Sequence, residues 1–349
     1  MRSGGRPARR EPIAGRVLVL CVAYACCALL QSSAETTTLS LFVHQLGASK
    51  LPMSYLATSL VDVPAAFAYM RLAGVTNRRW LLGSMAATLV ALLGVAYVVE
   101  SVRPGAGLFL GYVATNTLGT FLAVHWGVLL LDAFTVDESR RAFPWVYAGG
   151  HLGSFASGAI LQRLAGPVHS TTLMVAVPAG ACALLAVLLW LVGRMREGVM
   201  VREGEAPQPA LALGATAWRS LGMLRGSRLL QAIAVATSLM VLLRLALRWL
   251  YGTSFEQSCS STDALTRFLG GYTMVASVFG VMLQVVATPH LLRKLGVARL
   301  NVAYGLALLG AFGWLAVAPG AMSGAAGRFT DTALKAAIKT PLSAIFYDA

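Results

Sequence analysis

The stretch "RFTDTALKAAIKTP", Arg328 to Pro341, sets Arg328, Asp331, Lys335 and Lys339 at intervals of three and four residues. At about 100° per residue these four charges fall within an arc of roughly 80° on one side of a helix. Such a stripe suits the holding of an anion where water is scarce. An ionisable group inside a membrane span costs at least about 2.5–3.5 kcal/mol on insertion scales and is expected to face the interior of a helix bundle. Spacing alone pairs Asp331 with Arg328 and Lys335 and lets Lys339 reach toward the interface. That pairing leaves a net charge of +2 on the stripe, so two readings stand: a cavity wall that binds an anion, and a structural helix with its own ion pairs.

Further ionisable groups lie in apolar surroundings. In "VLLRLALRWLY" Arg244 and Arg248 lie about 40° apart on one helix. Arg244 is the cavity candidate. Arg248, beside Trp249 and Tyr251, is expected to extend to the interface. Arg267, four residues after Asp263, is expected to form a local ion pair. Glu35 follows Gln31, Ser32 and Ser33 and precedes Thr36 to Thr38. Asp62 sits in "SLVDVPAAF", where Pro64 frees a backbone carbonyl. Both carboxylates are candidates for proton coupling or for pairing with Arg244, Arg328 or Lys335. His151, inside the small-residue stretch "AGGHLGSFASG", reads as a hydrogen-bonded structural histidine or a proton relay. Asp132, Arg140 and Arg141 bracket a turn and form a candidate gate. The five cysteines have no metal-ligand spacing, and neither a phosphate-cradling loop nor a nucleophile elbow is present. Neither an enzyme nor a resident cofactor is expected.

The elements that must position these groups are membrane helices. The 349 residues are 57% apolar and 12% charged, with a mean hydropathy of +0.70, against roughly 25% charged in ordinary soluble domains. Apolar stretches long enough to cross about 30 Å of hydrocarbon recur ten times between residues 13 and 345. The expected class is therefore all-α and polytopic. A signal peptide cut after Ala34 also fits the first stretch, which continues through "TTTLSLFV" as a spanning helix would. Of the 28 Lys and Arg residues, 19 fall on the side of the N-terminus and three on the other. The positive-inside bias puts the N-terminus in the cytoplasm, in a bacterial inner membrane. The net charge of +14 follows from that topology, and nucleic acid is not an expected partner.

One long polar segment divides the chain into a six-helix bundle (1–193), a cytoplasmic linker (194–227) and a partial second bundle of four helices (228–349). "RLAGV" at Arg71 and "RKLGV" at Arg293 each follow the second span of their half. This echo suggests duplicated six-helix halves, as in major facilitator transporters, with the last two helices of the second half missing.

Three segments, "LLLDAFTVDESRRAFPWVYAGGHLGSFASGAIL", "DALTRFLGGYTMVASVFGVMLQVVATPHLLRKLGV" and "GRFTDTALKAAIKTPLSAIFY", resemble the bacterial and plastid-type ATP/ADP translocase family, a nucleotide-exchange branch of the major facilitator fold. "FVHQLGASKLPMSYL" adds a weaker match. The resemblance implies a secondary-active transporter that exchanges nucleotides by alternating access. Where nucleotide-moving members carry a Lys-Asp or Arg-Asp pair in the first helix, this sequence has Thr38 and Leu39. The expected partners are the lipid bilayer and an organic anion, with nucleotide, another phosphate-bearing solute and a lysolipid as candidates. The alternative class is a non-transporting anchor or sensor for a soluble domain.

Overall fold

The computed structural model describes residues 13–195, 226–284 and 288–339. Among the described residues ten α-helices follow one another: α1 Ile13–Leu41, α2 Leu51–Val75, α3 Arg78–Val102, α4 Ala106–Ala133, α5 Val136–Leu164, α6 Ser170–Met195, α7 Arg228–Ser258, α8 Thr262–Met282, α9 Thr288–Val317 and α10 Ala321–Phe329. The last continues in the wider π winding from Thr330 to Lys339. Among the described residues no strand is formed, and the chain is an all-α, polytopic membrane protein. Six helical stretches meet the length and apolarity of a membrane span: Ile13–Leu46, Arg78–Val102, Ala106–Ala133, Ser170–Leu191, Leu230–Ser258 and Thr262–Met282. The other expected spans are helical too, but α2 and α5 carry charges and small polar residues along their length. Most of the expected linker lies outside the described residues.

Several helix starts follow from local chemistry. Thr135 caps α5 in a reciprocal box, its hydroxyl accepting from the Glu138 N–H while the Glu138 carboxylate accepts from the Thr135 N–H. Asn77, Ser227 and Ser261 accept from the first turns of α3, α7 and α8. Gly296, inside the "RKLGV" turn, has φ +73° and breaks α9 near its start. That left-handed conformation suits glycine, which has no Cβ to clash.

Two large buried clusters, beside a small one of Leu161, Ala165 and Leu173, hold the bundle among the described residues. One draws mainly on α1 and α3 to α6, Leu30, Leu89, Leu93, Trp126 and Leu130 among its members, with Tyr69 and Ala73 of α2 packed against it. The other joins Leu247, Phe255, Leu269 and Tyr304 of α7 to α9 with Phe42, Leu51 and Tyr112 from the first half of the chain. The helices that feed both are α1 and α4, while α5 packs along α1 on one side and α8 on the other. Its small residues permit this: a Cβ added at Gly153 would stand 2.0 Å from the Ala25 carbonyl, and one at Gly158 would stand 2.5 Å from the Gly270 carbonyl.

The two ends of the bundle are tied differently. At the end carrying the α1–α2 turn, Glu256 accepts from the Ala48 N–H at 2.8 Å, and His44 meets Thr262 at 3.2 Å. Ser40 and Ser170 both bond Thr266, at 2.6 and 2.9 Å, and Ser170 donates twice to Asp263. These bonds all join the first six helices to the last four. At the end carrying Ile13, the described ion pairs stay within the first six: Arg16 with Glu138 at 2.9 Å, and Arg78 with Asp132.

Candidate functional site

At the centre of the site is Asp331. It sits in the π-wound continuation of α10, where the Thr330 and Thr332 hydroxyls donate to the Ala326 and Arg328 carbonyls at 2.9 and 2.7 Å. Those side chains compete for carbonyls that an α-helix would give to its own N–H groups. The Asp331 side chain is fully buried, and its two oxygens accept from Arg244 Nε at 2.5 Å and Arg248 Nε at 2.7 Å. Arg244 also donates to the Asp331 carbonyl at 3.4 Å. Both arginines come from α7, one turn apart, so that they flank one carboxylate as the 40° offset allows. A buried charge survives only when paired and hydrogen-bonded, and this one has two cationic donors.

A second pair lies three residues earlier. Arg328, with 5% of its side chain exposed, reaches Glu35 of α1 at 3.4 Å through Nη2, and its guanidinium lies 5.5 Å from the centre of the Tyr272 ring. Its other terminal nitrogen, Nη1, is buried without a hydrogen-bond partner, as is the Tyr304 hydroxyl. Tyr55 and Tyr112 interact through their side chains, and Arg248 lies within electrostatic reach of both and of Tyr251. The site therefore combines three guanidiniums, two carboxylates and a wall of phenols, drawn from α1, α2, α4, α7, α8, α9 and α10. Its formal charge is +1 from the side chains described. The arrangement can hold an anionic group beside Arg328 and stack or hydrogen-bond the remainder of a ligand against tyrosines.

The structure redraws several sequence-based pairings. Asp331 bonds Arg244 and Arg248 across helices instead of Arg328 along its own, because the change of winding at Thr330 breaks the α-helical register that the spacing assumes. Arg248 does not extend to the interface, since the carboxylate opposite it is nearer than water. Arg267 does not pair with Asp263: it donates to the Ala165 carbonyl at 2.7 Å, while Asp263 is taken by Ser170. Asp132 pairs with Arg78 at the start of α3, and the side chains of its expected gate partners Arg140 and Arg141 lie outside those described. So do the side chains of Lys335 and Lys339. Asp62 makes no ion pair among the described residues, and its Oδ1 is buried without a hydrogen-bond partner. His151 shares a hydrogen bond of 3.0 Å with Gln284 across the α5–α8 contact and packs on Gly280. In the polar run of α1, Ser33, Thr37 and Thr38 turn their hydroxyls onto carbonyls of their own helix. Gln31 donates to the Gly119 carbonyl of α4. Glu35 is the member of that run whose side chain reaches the site.

Sequence reasoning missed Arg248 as a site residue, the tyrosine wall, and the Arg16–Glu138 pair. Tyr55, Tyr112, Tyr272 and Tyr304 carry no signal in their spacing, since they converge only in the folded bundle.

No family model matches the sequence, and no curated protein matches it, the ATP/ADP translocases that it resembles included. A solved structure that it resembles is a bacterial homologue of the human lysosomal transporter Spinster, in an inward-facing and unoccupied conformation. The identity is 15% and the TM-score 0.48, over 95% of this chain and 75% of that one.

Proposed function

We propose that the protein is a secondary-active transporter of an organic anion that works by alternating access, with α1 to α6 and α7 to α10 as its two moving halves in a major facilitator-like arrangement. The observation that carries this reading is Arg328: a guanidinium almost wholly buried between the halves, with one nitrogen on Glu35 and the other without a partner. A donor of this kind is costly unless an acceptor arrives, and an anionic group supplies one. An anchor has no need of such a site. The bonds at the α1–α2 end seal one mouth, and with the N-terminus cytoplasmic that mouth is the outer one. Nucleotide is the class that the resemblance implies, and a carboxylated or other phosphate-bearing solute fits the same charges.

The test is a thermal-shift screen of the purified protein in lipid nanodiscs, with ATP, ADP, AMP, inorganic phosphate, dicarboxylates and a lysophosphatidic acid beside neutral and cationic solutes. A ligand present at 100 times its Kd stabilises by about 2.7 kcal/mol. The expected result is stabilisation by one anion class, lost in Arg328→Gln. Stabilisation by neutral or cationic solutes alone would refute the anion reading.

A further inference from the structure

The two carboxylates of the site are held in opposite ways. Asp331 has no exposed surface and two short bonds to separate guanidiniums. Glu35 has 40% of its side chain exposed and a single contact with Arg328, at 3.4 Å. That contact joins α1 to α10, and therefore one half of the molecule to the other. The charged and titratable groups that face Glu35 are Arg328 from α10, Tyr112 from α4 and Tyr272 from α8. On α5, Tyr147 meets Tyr24 and His151 meets Gln284 toward the other end, while Arg163 stands in the last turn, near the level of Glu35, without an ion pair to it among the described residues. One long bond to one cation is thus the described polar contact of the Glu35 carboxylate, whose side chain is partly exposed.

Resting on the anion-transport reading, we propose that Glu35 is the proton site of the transporter: protonation of its carboxylate releases Arg328, and the freed guanidinium takes the anionic group of the substrate. A proton from water adds to one carboxylate oxygen of Glu35, the Glu35–Arg328 hydrogen bond breaks, and the substrate oxygen replaces it on Arg328. No other bond changes. The charge of the site is +1 with Glu35 ionised and the site unliganded. It is again +1 with Glu35 neutral and a singly charged group bound. Proton and anion therefore enter as a neutral pair, which spares the low-dielectric interior any added charge. The unpartnered Nη1 of Arg328 gives the incoming group a second donor and so allows a forked contact with a carboxylate or phosphate.

The experiment needs no substrate. Wild type, Glu35→Gln and Glu35→Asp are reconstituted in nanodiscs and titrated from alkaline to acidic pH. Infrared difference spectra read the C=O band of a protonated carboxyl, and deuterium exchange reads residues 321–339. The wild type is expected to gain a carboxyl band on acidification together with faster exchange in that segment. Glu35→Gln should lose the band and exchange fast at every pH, while Glu35→Asp should keep the band with a displaced midpoint. An equal band in wild type and Glu35→Gln would overturn the proposal, as would an acid-induced change in exchange that both share. If Glu35→Gln does not fold, Glu35→Asp decides: a band whose midpoint matches the wild type overturns the proposal. A ligand screen without a stabilising anion would defeat the transport reading and leave this result standing. A wild type without the band would defeat the proton site and leave anion binding intact.

Discussion

Replacing Asp331 by Asn removes a negative charge from between two positive ones and leaves the shape of the side chain almost unchanged. Two unit charges about 4 Å apart attract by about 4 kcal/mol at an effective dielectric of 20, and Asp331 makes two such contacts. Desolvation of the three groups offsets much of that gain, but removal of one partner leaves the other charges buried, which costs about 3–5 kcal/mol. Arg244 and Arg248 keep 18% and 27% of their side chains exposed, so water recovers a part of the loss. The expected destabilisation is then about 3 kcal/mol, at the low end of that range. The assay is denaturation of wild type, Asp331→Asn, Arg248→Gln and the double variant in one lipid system. Because the two side chains touch, the double variant should lose less than the sum of the single ones, with a coupling of about 1–2 kcal/mol. A loss below about 1 kcal/mol in Asp331→Asn, or additive effects, would show that the three groups do not act as a unit.

Gly153→Ala should lower the yield of folded protein far more than Gly127→Ala, because the new Cβ meets the Ala25 backbone in the first case and nothing within 4 Å in the second. Size-exclusion profiles in detergent read the difference. Arg16→Gln should loosen the Ile13 end of α1, since it loses both the Glu138 pair and the bond to the Ala133 carbonyl. Deuterium exchange of residues 13–20 would rise while that of α8 stays unchanged. Single cysteines at Ser3, Ser49 and Ala206 in a cysteine-free background should react with an impermeant external reagent at Ser49 alone. Reaction at Ser3 and Ala206 instead would invert the topology.

Helices and their order were legible because they depend on local sequence, the long apolar runs above all, whereas the Thr135 and Glu138 box and the break at Gly296 show only in the folded chain. The partners of the charges were less so. Spacing along one helix finds neighbours on that helix, yet Arg244 and Asp331 stand 87 residues apart, and Glu35 and Arg328 stand 293 apart. Their types and their place within apolar spans marked them as costly and therefore engaged. Which opposite charge engages each of them depends on helix packing and on the π winding after Phe329, and neither leaves a mark at the spacing of the charges themselves. Arg248 shows the same limit from the other side: of the aromatic neighbours that suggest an interface, Trp249 is exposed but Tyr251 is buried with Arg248 in the inner wall.

At the α1–α2 end, beside the Arg267 bonds to the Ala165 carbonyl, six hydrogen bonds join the two groups of helices, four of them between side chains. A neutral bond contributes about 0.5–1.5 kcal/mol net and one to a charged group about 1.5–3, and three of the six end on the Glu256 and Asp263 carboxylates, so together they are worth on the order of 10 kcal/mol. Reversing a population from 1:99 to 99:1 takes about 5.5 kcal/mol of differential binding. On the transport reading, one ligand's binding does not open this end alone, and new contacts at the opposite end must supply the rest.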